Sequence, residues 1–348
     1  MYAMKTPAAL SRIPWLAALS RFGAEEEPLP EQKPPRIGLC LSSGGARGLA
    51  HIGVIQVLEQ EHIPIAAISG CSMGAYIGAL WAAGFNGSQL EELANEIKDR
   101  RTLIRLMDPT WVPSEGLIRG HKIRKHLERS LGGVNFEDLA VPLLTVATDL
   151  DSMGPVVFDK GNVAEAVHAS AAVPGVCAPV RINGRRFTDG GASEPLPVTL
   201  LRQRFGVDRV LAVSVVPTPL DIEQCRDNDF GPVPKPTRNP LVKIWRAINL
   251  MGYGNVLDTF RRSLFASQIQ VTAKEALHAD LVLHPYFCEA LWYDFENFDR
   301  YIKSGRDAAR AALPQIRALL TATPAQPFNQ GGYYETAPSF PPMGPLAA

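Results

Sequence analysis

The sequence has no excess of charge of either sign and few cysteines. Its 348 residues include 35 Lys and Arg against 35 Asp and Glu, so the formal net charge is zero. Without a positive surplus there is no electrostatic basis for binding a nucleic acid backbone, which excludes nucleic acid as an expected partner. The five cysteines are scattered and form no CxxC pair, which favours neither a disulfide framework nor a zinc site. We therefore expect a reducing, cytoplasmic compartment.

A convincing export signal and an uninterrupted membrane span are also lacking. The apolar stretch at residues 13–19 is short and contains Pro14, and no clear cleavage site follows it. Residues 62–90 contain no Asp, Glu, Lys or Arg, but glycines such as Gly70 and Gly74 interrupt the run. This pattern indicates a short buried strand, a turn and a helix of small residues rather than a span.

Composition divides the chain into three parts. Residues 1–35 form an N-terminal extension that ends in a charged, Pro-rich linker, and residues 321–348 form a tail without periodicity that we expect to be disordered. Residues 36–320 remain as one folded domain. Within it, the Pro-rich residues 217–240 are predicted to form a loop.

Predicted strands and helices alternate along residues 36–320. The predicted strands are 36–41, 65–69, 143–147, 156–158, 210–215 and 281–283. The predicted helices are 46–61, 90–98, 122–130, 164–171, 198–205 and 241–277. The alternation predicts an α/β fold with three α/β/α layers and a mostly parallel central sheet.

A serine between two glycines is the strongest local motif. Residues 70–74 read Gly-Cys-Ser-Met-Gly, directly after a predicted buried strand and directly before a helix. Such a strand-to-helix elbow exposes a serine Oγ at the carboxyl edge of a sheet, and glycines flank it because the sharp turn leaves no room for side chains. Ser72 is therefore predicted to be a nucleophile, with a plain tight turn as the alternative.

A glycine-rich loop precedes the elbow by one β-α-β crossover. Residues 43–48 read Ser-Gly-Gly-Ala-Arg-Gly at the start of a predicted helix. Backbone N–H groups at such a place bind a phosphate or the oxyanion of an acyl-transfer intermediate. Because adjacent parallel strands end at the same sheet edge, we expect this loop beside Ser72, which favours the oxyanion. Arg47 is unfavourable to the helix dipole and indicates a nearby anion, unless it only pairs with a neighbouring acid.

Two phosphate-binding alternatives fit less well. A dinucleotide site needs Gly where Ser43 stands and an acidic residue at the end of the second strand, where residues 69–72 read Ser-Gly-Cys-Ser. A P-loop needs Gly-Lys followed by Ser or Thr, and the loop lacks that sequence.

A serine nucleophile needs a base, and the chain offers histidine and aspartate candidates. His278 and His284 lie downstream in the order that α/β-hydrolases use, and His284 follows a predicted strand. Asp189 precedes Gly190 and Gly191 at the end of another predicted strand, where the backbone can hold a carboxylate close to a ligand. Since Asp-Gly-Gly is also an ordinary turn, the residues alone leave both bases open.

Together these three segments resemble the motifs of the patatin-like phospholipase family: a glycine-rich oxyanion loop, GxSxG, and Asp-Gly-Gly or Asp-Gly-Ala. Further similar segments are residues 48–54, 141–143, 148–150, 169–175 and 194–197, and more loosely 279–283 and 302–305. The chain departs from the family pattern at Ser43, where the first motif usually begins with Gly. We expect this departure to be tolerated, because serine there can still cap the following helix.

The resemblance implies a Ser72–Asp189 dyad, an oxyanion hole from the backbone of Gly44 and Gly45, and a supporting role for Arg47. The other motif residues are Ser43, Gly48, Gly70, Gly74, Gly190 and Gly191. No metal or organic cofactor is expected. An unperturbed Asp is about 2.6 pKa units less basic than His, which is about 3.5 kcal/mol of missing driving force for proton transfer. Burial of Asp189 is expected to recover part of it by raising its pKa.

The expected function is that of a serine acyl-ester hydrolase acting on lipids or related esters. An acyltransferase with the same dyad and a weakly catalytic, lipid-binding regulatory protein are the alternatives. The basic residues 119–129 are compatible with peripheral contact with an anionic membrane, and equally with a solvated helix face.

Overall fold

The strands of the chain form one mixed sheet with helices on both faces. A computed structural model describes residues 34–97, 108, 116, 118–225 and 256–321. The strands are β1 (Ile37–Leu41), β2 (Ala67–Cys71), β3 (Leu143–Asp149), β4 (Gly154–Phe158), β5 (Val180–Ile182), β6 (Arg185–Asp189), β7 (Arg209–Val213) and β8 (Leu281–Leu283). The α-helices are α1 (Ala50–Gln60), α2 (Met73–Ala82), α3 (Gly87–Ile97), α4 (His121–Leu131), α5 (Val163–Ser170), α6 (Val198–Phe205), α7 (Pro219–Gln224), α8 (Val256–Ala276), α9 (Phe298–Ala311) and α10 (Leu313–Ala318). Short 3₁₀ helices span Gly45–Leu49, Phe136–Asp138 and Gly190–Ala192.

The sheet is parallel through its centre and antiparallel at one end. The strand order is β5-β6-β3-β2-β1-β7-β8, and β4 also pairs with β3. Strands β3, β2, β1, β7 and β8 are parallel neighbours, whereas β4 and β6 run antiparallel to β3, and β5 antiparallel to β6. The predicted mostly parallel sheet is therefore right for the five strands β3, β2, β1, β7 and β8. Of the short β5–β6 hairpin, the sequence predicts only a strand that ends at Asp189.

Alternate side chains of the strands pack against the helices on opposite faces of the sheet. In β1, Leu39 and Leu41 pack into the larger core with Ile52 of α1 and Ile302 of α9. The intervening Cys40 belongs to a second cluster, which includes residues of α6. Because successive strand side chains point to opposite faces, the two clusters lie on the two sides of the sheet. The predicted α/β fold with three layers is confirmed.

The uncharged run at residues 62–90 folds within this framework. It contains β2 and α2, joined by the turn at Ser72. Within the described ranges no helix combines the length and the apolar character needed to cross a bilayer.

Several predicted segments lie outside the described residues. They are the extension up to residue 33, the tail from residue 322, and residues 226–255, which hold most of the Pro-rich loop and the start of the predicted long helix. The described part of that loop includes the short helix α7, and the long helix is present as α8. The division into extension, domain and tail stays a prediction.

The cysteines correct one expectation. Cys225, directly after α7, forms a disulfide with Cys288, which follows β8, although 63 residues separate the two along the chain. Cys40, Cys71 and Cys177 are free and buried. The pairing depends on the packing of two distant loops, which spacing along the sequence does not reveal. With this disulfide, the cysteines no longer indicate a reducing compartment.

Candidate active site

The sheet brings the ends of β2 and β6 together. The pairing of β2 with β3 ends at Cys71, which lies opposite Val146 of β3. The pairing of β6 with β3 starts at the next residue of β3, Ala147, which lies opposite Asp189. Strand β4 pairs with β3 along both stretches, so it occupies the opposite edge of β3. Strands β2 and β6 therefore share one edge of β3 and meet end to end. Ser72, the residue after β2, consequently lies beside Asp189, the last residue of β6.

The turn at Ser72 has the strained backbone of a nucleophile elbow. Ser72 has φ 52° and ψ −116°, a conformation that is unfavourable for residues with a side chain. A Cβ at Gly70 would lie 2.6 Å from the carbonyl oxygen of Gly74, and a Cβ at Gly74 would lie 2.3 Å from that of Leu41. Both flanking glycines are therefore required by close backbone contacts.

Ser170 at the end of α5 fixes the elbow to the sheet. The backbone N–H of Ser72 donates to Ser170 Oγ at 2.9 Å, and Ser170 Oγ donates to the carbonyl oxygen of Val146 at 2.6 Å. The serine hydroxyl thus bridges the elbow and β3 inside the protein, where an unpaired N–H would be costly.

Ser72 and Asp189 are in direct contact. Ser72 Oγ donates a hydrogen bond of 2.6 Å to Asp189 Oδ2, and each residue is 6% exposed. The other carboxylate oxygen, Oδ1, accepts the N–H of Gly191 at 2.7 Å. Burial raises the pKa of Asp189 to about 6, although the hydrogen bonds from Ser72 and Gly191 act in the opposite direction. The carboxylate is thus more basic than an ordinary aspartate.

The backbone of Asp189 is held from two sides. Its N–H donates to the carbonyl oxygen of Ala172 at 2.8 Å, and its own carbonyl oxygen accepts the hydroxyl of Thr148 at 2.9 Å. A Cβ at Gly190 would lie 2.2 Å from the carbonyl oxygen of Val146, so the chain must turn there at a glycine. These contacts set the position of the carboxylate.

Two adjacent N–H groups of the glycine-rich loop remain available to a ligand. No described residue accepts a hydrogen bond from the N–H of Gly44 or Gly45. The N–H groups on either side are occupied, because Ser43 donates to Pro195 O at 2.9 Å and Ala46 to Trp292 O at 2.7 Å. The free pair is the donor set that an oxyanion requires.

The carbonyl oxygens on the same peptide groups are held in place. Ser42 Oγ donates to the carbonyl oxygen of Ser43 at 2.9 Å, and Arg47 Nε donates to that of Gly44 at 3.4 Å. In a planar trans peptide the N–H points away from the C=O. Fixing these two carbonyls therefore fixes the directions of the Gly44 and Gly45 N–H groups.

Close packing explains the glycines of this loop. Gly45 has φ 57°, and a Cβ there would lie 2.3 Å from the carbonyl oxygen of Trp292. A Cβ at Gly44 would lie 2.3 Å from Val215 Cγ2. A Cβ at Gly48 would lie 2.6 Å from Met73 Cγ, so the loop packs against the residue that follows Ser72.

Arg47 lies under the loop. It is 4% exposed, its Nε donates to the Gly44 carbonyl, and its guanidinium carbon lies 5.3 Å from the centre of the Phe265 ring on α8. The predicted supporting role thus has a geometric basis in the loop itself. The anion predicted near Arg47 stays a prediction.

His284 and His51 make their hydrogen bonds to groups other than Ser72. His284 Nδ1 donates to Ser214 O and its Nε2 contacts Asp221 Oδ2, each at 2.8 Å. His51 is fully buried and its Nε2 donates to Ser42 O at 2.9 Å, and burial lowers its pKa to about 4. The described structure therefore forms no histidine triad with Ser72.

Cys71, next to the elbow serine, is buried. Burial, with a smaller contribution from the nearby Asp189 charge, raises the pKa of its thiol. A thiol held in its neutral form is a poor nucleophile. Cys71 fills space beneath the turn, where a Cβ at Gly190 would lie 3.0 Å from its Sγ.

Residues 39–202 match the model of a known family, whose description is "Patatin-like phospholipase". The matched range contains both Ser72 and Asp189. Residues 39–202 form a patatin-like phospholipase domain.

Related proteins align with about half of the chain. An NTE family protein of Mycobacterium tuberculosis is 42% identical over 183 residues, which cover 52% of this chain and 49% of that protein. Lysophospholipase NTE1 of Saccharomyces cerevisiae is 32% identical over 181 residues, covering 51% of this chain and 11% of that protein. The alignments thus span about half of the mycobacterial relative and about a tenth of the yeast relative.

The fold is also found in a solved structure. VipD from Legionella pneumophila superposes with a TM-score of 0.50 at 14% identity, over 82% of this chain and 67% of that chain. This likeness concerns the fold alone, and it extends well beyond the patatin-like domain match.

Some residues of the site were not predicted from the sequence. Ser42, Thr148 and Ser170 act through the backbone of the motif residues, and Trp292 and Gln268 contact the loop from outside the patatin-like domain. Ser170 stands within the similar segment 169–175, which was a usable signal. Nothing in the sequence marks Gln268 or Trp292, because their roles depend on tertiary packing.

A small apolar cavity lies beside the start of α2. Its volume is about 20 Å³, and its lining includes Leu49, Met73, Tyr76, Leu80 and Phe295. This volume accommodates about one water molecule. Neither Ser72 nor Asp189 lines this cavity.

Proposed function

We propose that this chain is a serine acyl-ester hydrolase of lipids or related esters, with Ser72 as nucleophile and Asp189 as general base. The observation that carries the proposal is the buried 2.6 Å hydrogen bond from Ser72 Oγ to Asp189 Oδ2. The patatin-like phospholipase domain and the likeness to a lysophospholipase support the substrate class.

Acylation begins with transfer of the Ser72 proton to Asp189 Oδ2 as Ser72 Oγ attacks the ester carbonyl carbon. The negative charge that develops on the carbonyl oxygen is stabilised by the N–H groups of Gly44 and Gly45 and by the N-terminus of α2. Collapse of the tetrahedral intermediate breaks the ester bond. Asp189 returns the proton to the departing alcohol, leaving an acyl group on Ser72.

Deacylation uses the same groups. Asp189 accepts a proton from a water molecule, which attacks the acyl carbonyl carbon, and the oxyanion again lies against Gly44 and Gly45. Expulsion of Ser72 Oγ, which regains the proton from Asp189, releases the carboxylic acid.

The raised pKa makes an aspartate adequate as this base. Ordinary values differ by about 2.6 units between Asp and His. With the pKa of Asp189 at about 6, most of this difference is removed, so an additional histidine is not required for proton transfer.

Hydrolysis of 4-nitrophenyl butyrate and of a lysophospholipid by the wild type and by variants tests the proposal. We expect Ser72→Ala to reduce turnover to background and Asp189→Asn to reduce kcat by about 10³-fold, within the range of general-base effects. His284→Ala should retain activity, since its ring contacts Ser214 and Asp221. Ser263→Ala, an exposed serine on α8, is the control.

The same assay separates the alternatives. Loss of activity in His284→Ala with activity kept in Asp189→Asn would contradict the dyad. Transfer of the acyl group to an added alcohol in preference to water would identify an acyltransferase. An inactive wild type, with and without anionic vesicles, would overturn the proposal in favour of lipid binding without catalysis.

A further inference from the structure

Gln268 of α8 joins the two halves of the candidate site. Its Nε2 donates to Ser43 Oγ at 2.6 Å, across 225 positions of sequence. A Cβ at Gly191 would lie 2.6 Å from the same Nε2, so the amide also packs against the turn that follows Asp189. One side chain therefore touches the oxyanion loop and the turn whose N–H binds the Asp189 carboxylate.

Helix α8 contacts the loop at a second point, one turn earlier. Phe265 lies three positions before Gln268, hence on the same helix face, and its ring packs against the Arg47 guanidinium. Arg47 in turn holds the Gly44 carbonyl. The Phe265–Gln268 face of α8 thus supports the loop through Arg47 and through Ser43.

Ser43 transmits this support to the oxyanion donors. Its N–H donates to Pro195 O, its carbonyl accepts Ser42 Oγ, and its hydroxyl accepts Gln268 Nε2. The Ser43 carbonyl and the Gly44 N–H belong to one rigid peptide group. Without Gln268, the 2% exposed Ser43 loses the only hydrogen bond that fixes its side chain among the described residues.

We infer that Gln268 is a positioning residue, which acts through Ser43 on the oxyanion loop and against Gly191 on the turn after Asp189. The inference rests on the proposed hydrolase function and adds a residue outside the patatin-like domain, at the position where the family resemblance departs from Gly. The hydroxyl of Ser43 is the hydrogen-bond acceptor that glycine would lack, and Gln268 is its donor.

Steady-state kinetics of four variants test the inference. Gln268→Ala, Ser43→Ala and the double variant should each lower kcat about tenfold, the size of one positioned hydrogen bond, with KM within about twofold. The double variant should lose no more than either single variant, because both substitutions remove the same interaction. Gln270→Ala, an exposed glutamine on the same helix, should match the wild type.

Gln268→Met separates the hydrogen bond from packing. Methionine fills similar space without donating, so kcat should fall as far as in Gln268→Ala, while the melting temperature stays closer to that of the wild type. Wild-type kcat in Gln268→Met, or additive losses in the double variant, would overturn the inference. An inactive wild type, or activity in Ser72→Ala, would instead overturn the proposed function.

Discussion

Burial and hydrogen bonding act on Asp189 in opposite directions. Removal from water favours the neutral carboxyl, whereas the Ser72 hydroxyl and the Gly191 N–H favour the carboxylate. Burial is the larger effect, so the pKa lies at about 6 rather than 3.8. The residue is consequently ionised at neutral pH, yet basic enough to accept the proton of a serine.

This value predicts the acid side of the pH profile. The base must be ionised to act, so kcat/KM should fall as pH decreases through about 6, with little change above pH 7. The pH dependence of kcat/KM can be measured from the hydrolysis of 4-nitrophenyl butyrate between pH 4 and 8. A decrease of kcat/KM centred near pH 4 would indicate a carboxylate with an ordinary pKa and would contradict the effect assigned to burial.

The roles of some residues can be predicted from the sequence, whereas those of others cannot. Ser72 and Asp189 stand in motifs whose local chemistry is readable, and the structure places the two in contact. His284 had a suitable chain position, but its ring nitrogens are engaged by Ser214 and Asp221. Gln268 is one of many polar residues on a long helix, so only the packing of that helix reveals its contact with Ser43.

Two helices approach each other closely through glycine. A Cβ at Gly305 of α9 would lie 1.9 Å from the carbonyl oxygen of Ala50 at the start of α1, and a Cβ at Gly53 would lie 1.9 Å from that of Ile302. These are backbone atoms, which no side-chain rotation can move away. Both helices contribute to the larger core, and α1 follows the candidate oxyanion loop directly along the chain.

Gly305→Ala is expected to lower the free energy of unfolding by about 2 kcal/mol, because the helices must separate. Helix propensity alone predicts the opposite sign, a gain of about 1 kcal/mol. Gly154→Ala is the control, since no atom lies within 4 Å of its Cβ position, and should change stability by less than about 0.5 kcal/mol. Urea unfolding that shows Gly305→Ala as stable as the wild type would refute the close crossing.

At the level of elements, periodicity located most strands and helices to within a few residues. Strand β8 and helix α6 have the predicted bounds, and β2 is shifted by two residues. Strand β5 was missed because its sequence, Val-Arg-Ile, alternates over only three residues, whereas the equally short β8 is an uninterrupted apolar run, Leu-Val-Leu. The end-to-end meeting of β2 and β6 depends on β6 running antiparallel to β3, which no local pattern encodes.

The whole molecule extends beyond its family domain. Strands β7 and β8 complete the sheet after residue 202, and the loop after β8 supplies the Trp292 carbonyl that binds Ala46. The disulfide ties that loop, at Cys288, to the segment after α7, at Cys225. Residues outside the matched range thus support the candidate oxyanion loop.

The cysteine pairing gives a prediction for the intact chain. Alkylation in denaturant without reductant should modify three of the five cysteines, and prior reduction should expose all five. Reduction should also lower stability by about 4 kcal/mol, the chain-entropy value for a loop closed across 63 positions. Mass spectrometry that finds five alkylated thiols without reduction would show that Cys225 and Cys288 are unpaired.

The most direct test of the account is the covalent adduct formed with a fluorophosphonate. Peptide mass spectrometry should find the phosphonyl group on Ser72 of the wild type, with labelling absent in Ser72→Ala and about 10³-fold slower in Asp189→Asn. Labelling of another serine, or equal rates in the wild type and Asp189→Asn, would contradict the assignment of Ser72 as nucleophile and Asp189 as its base.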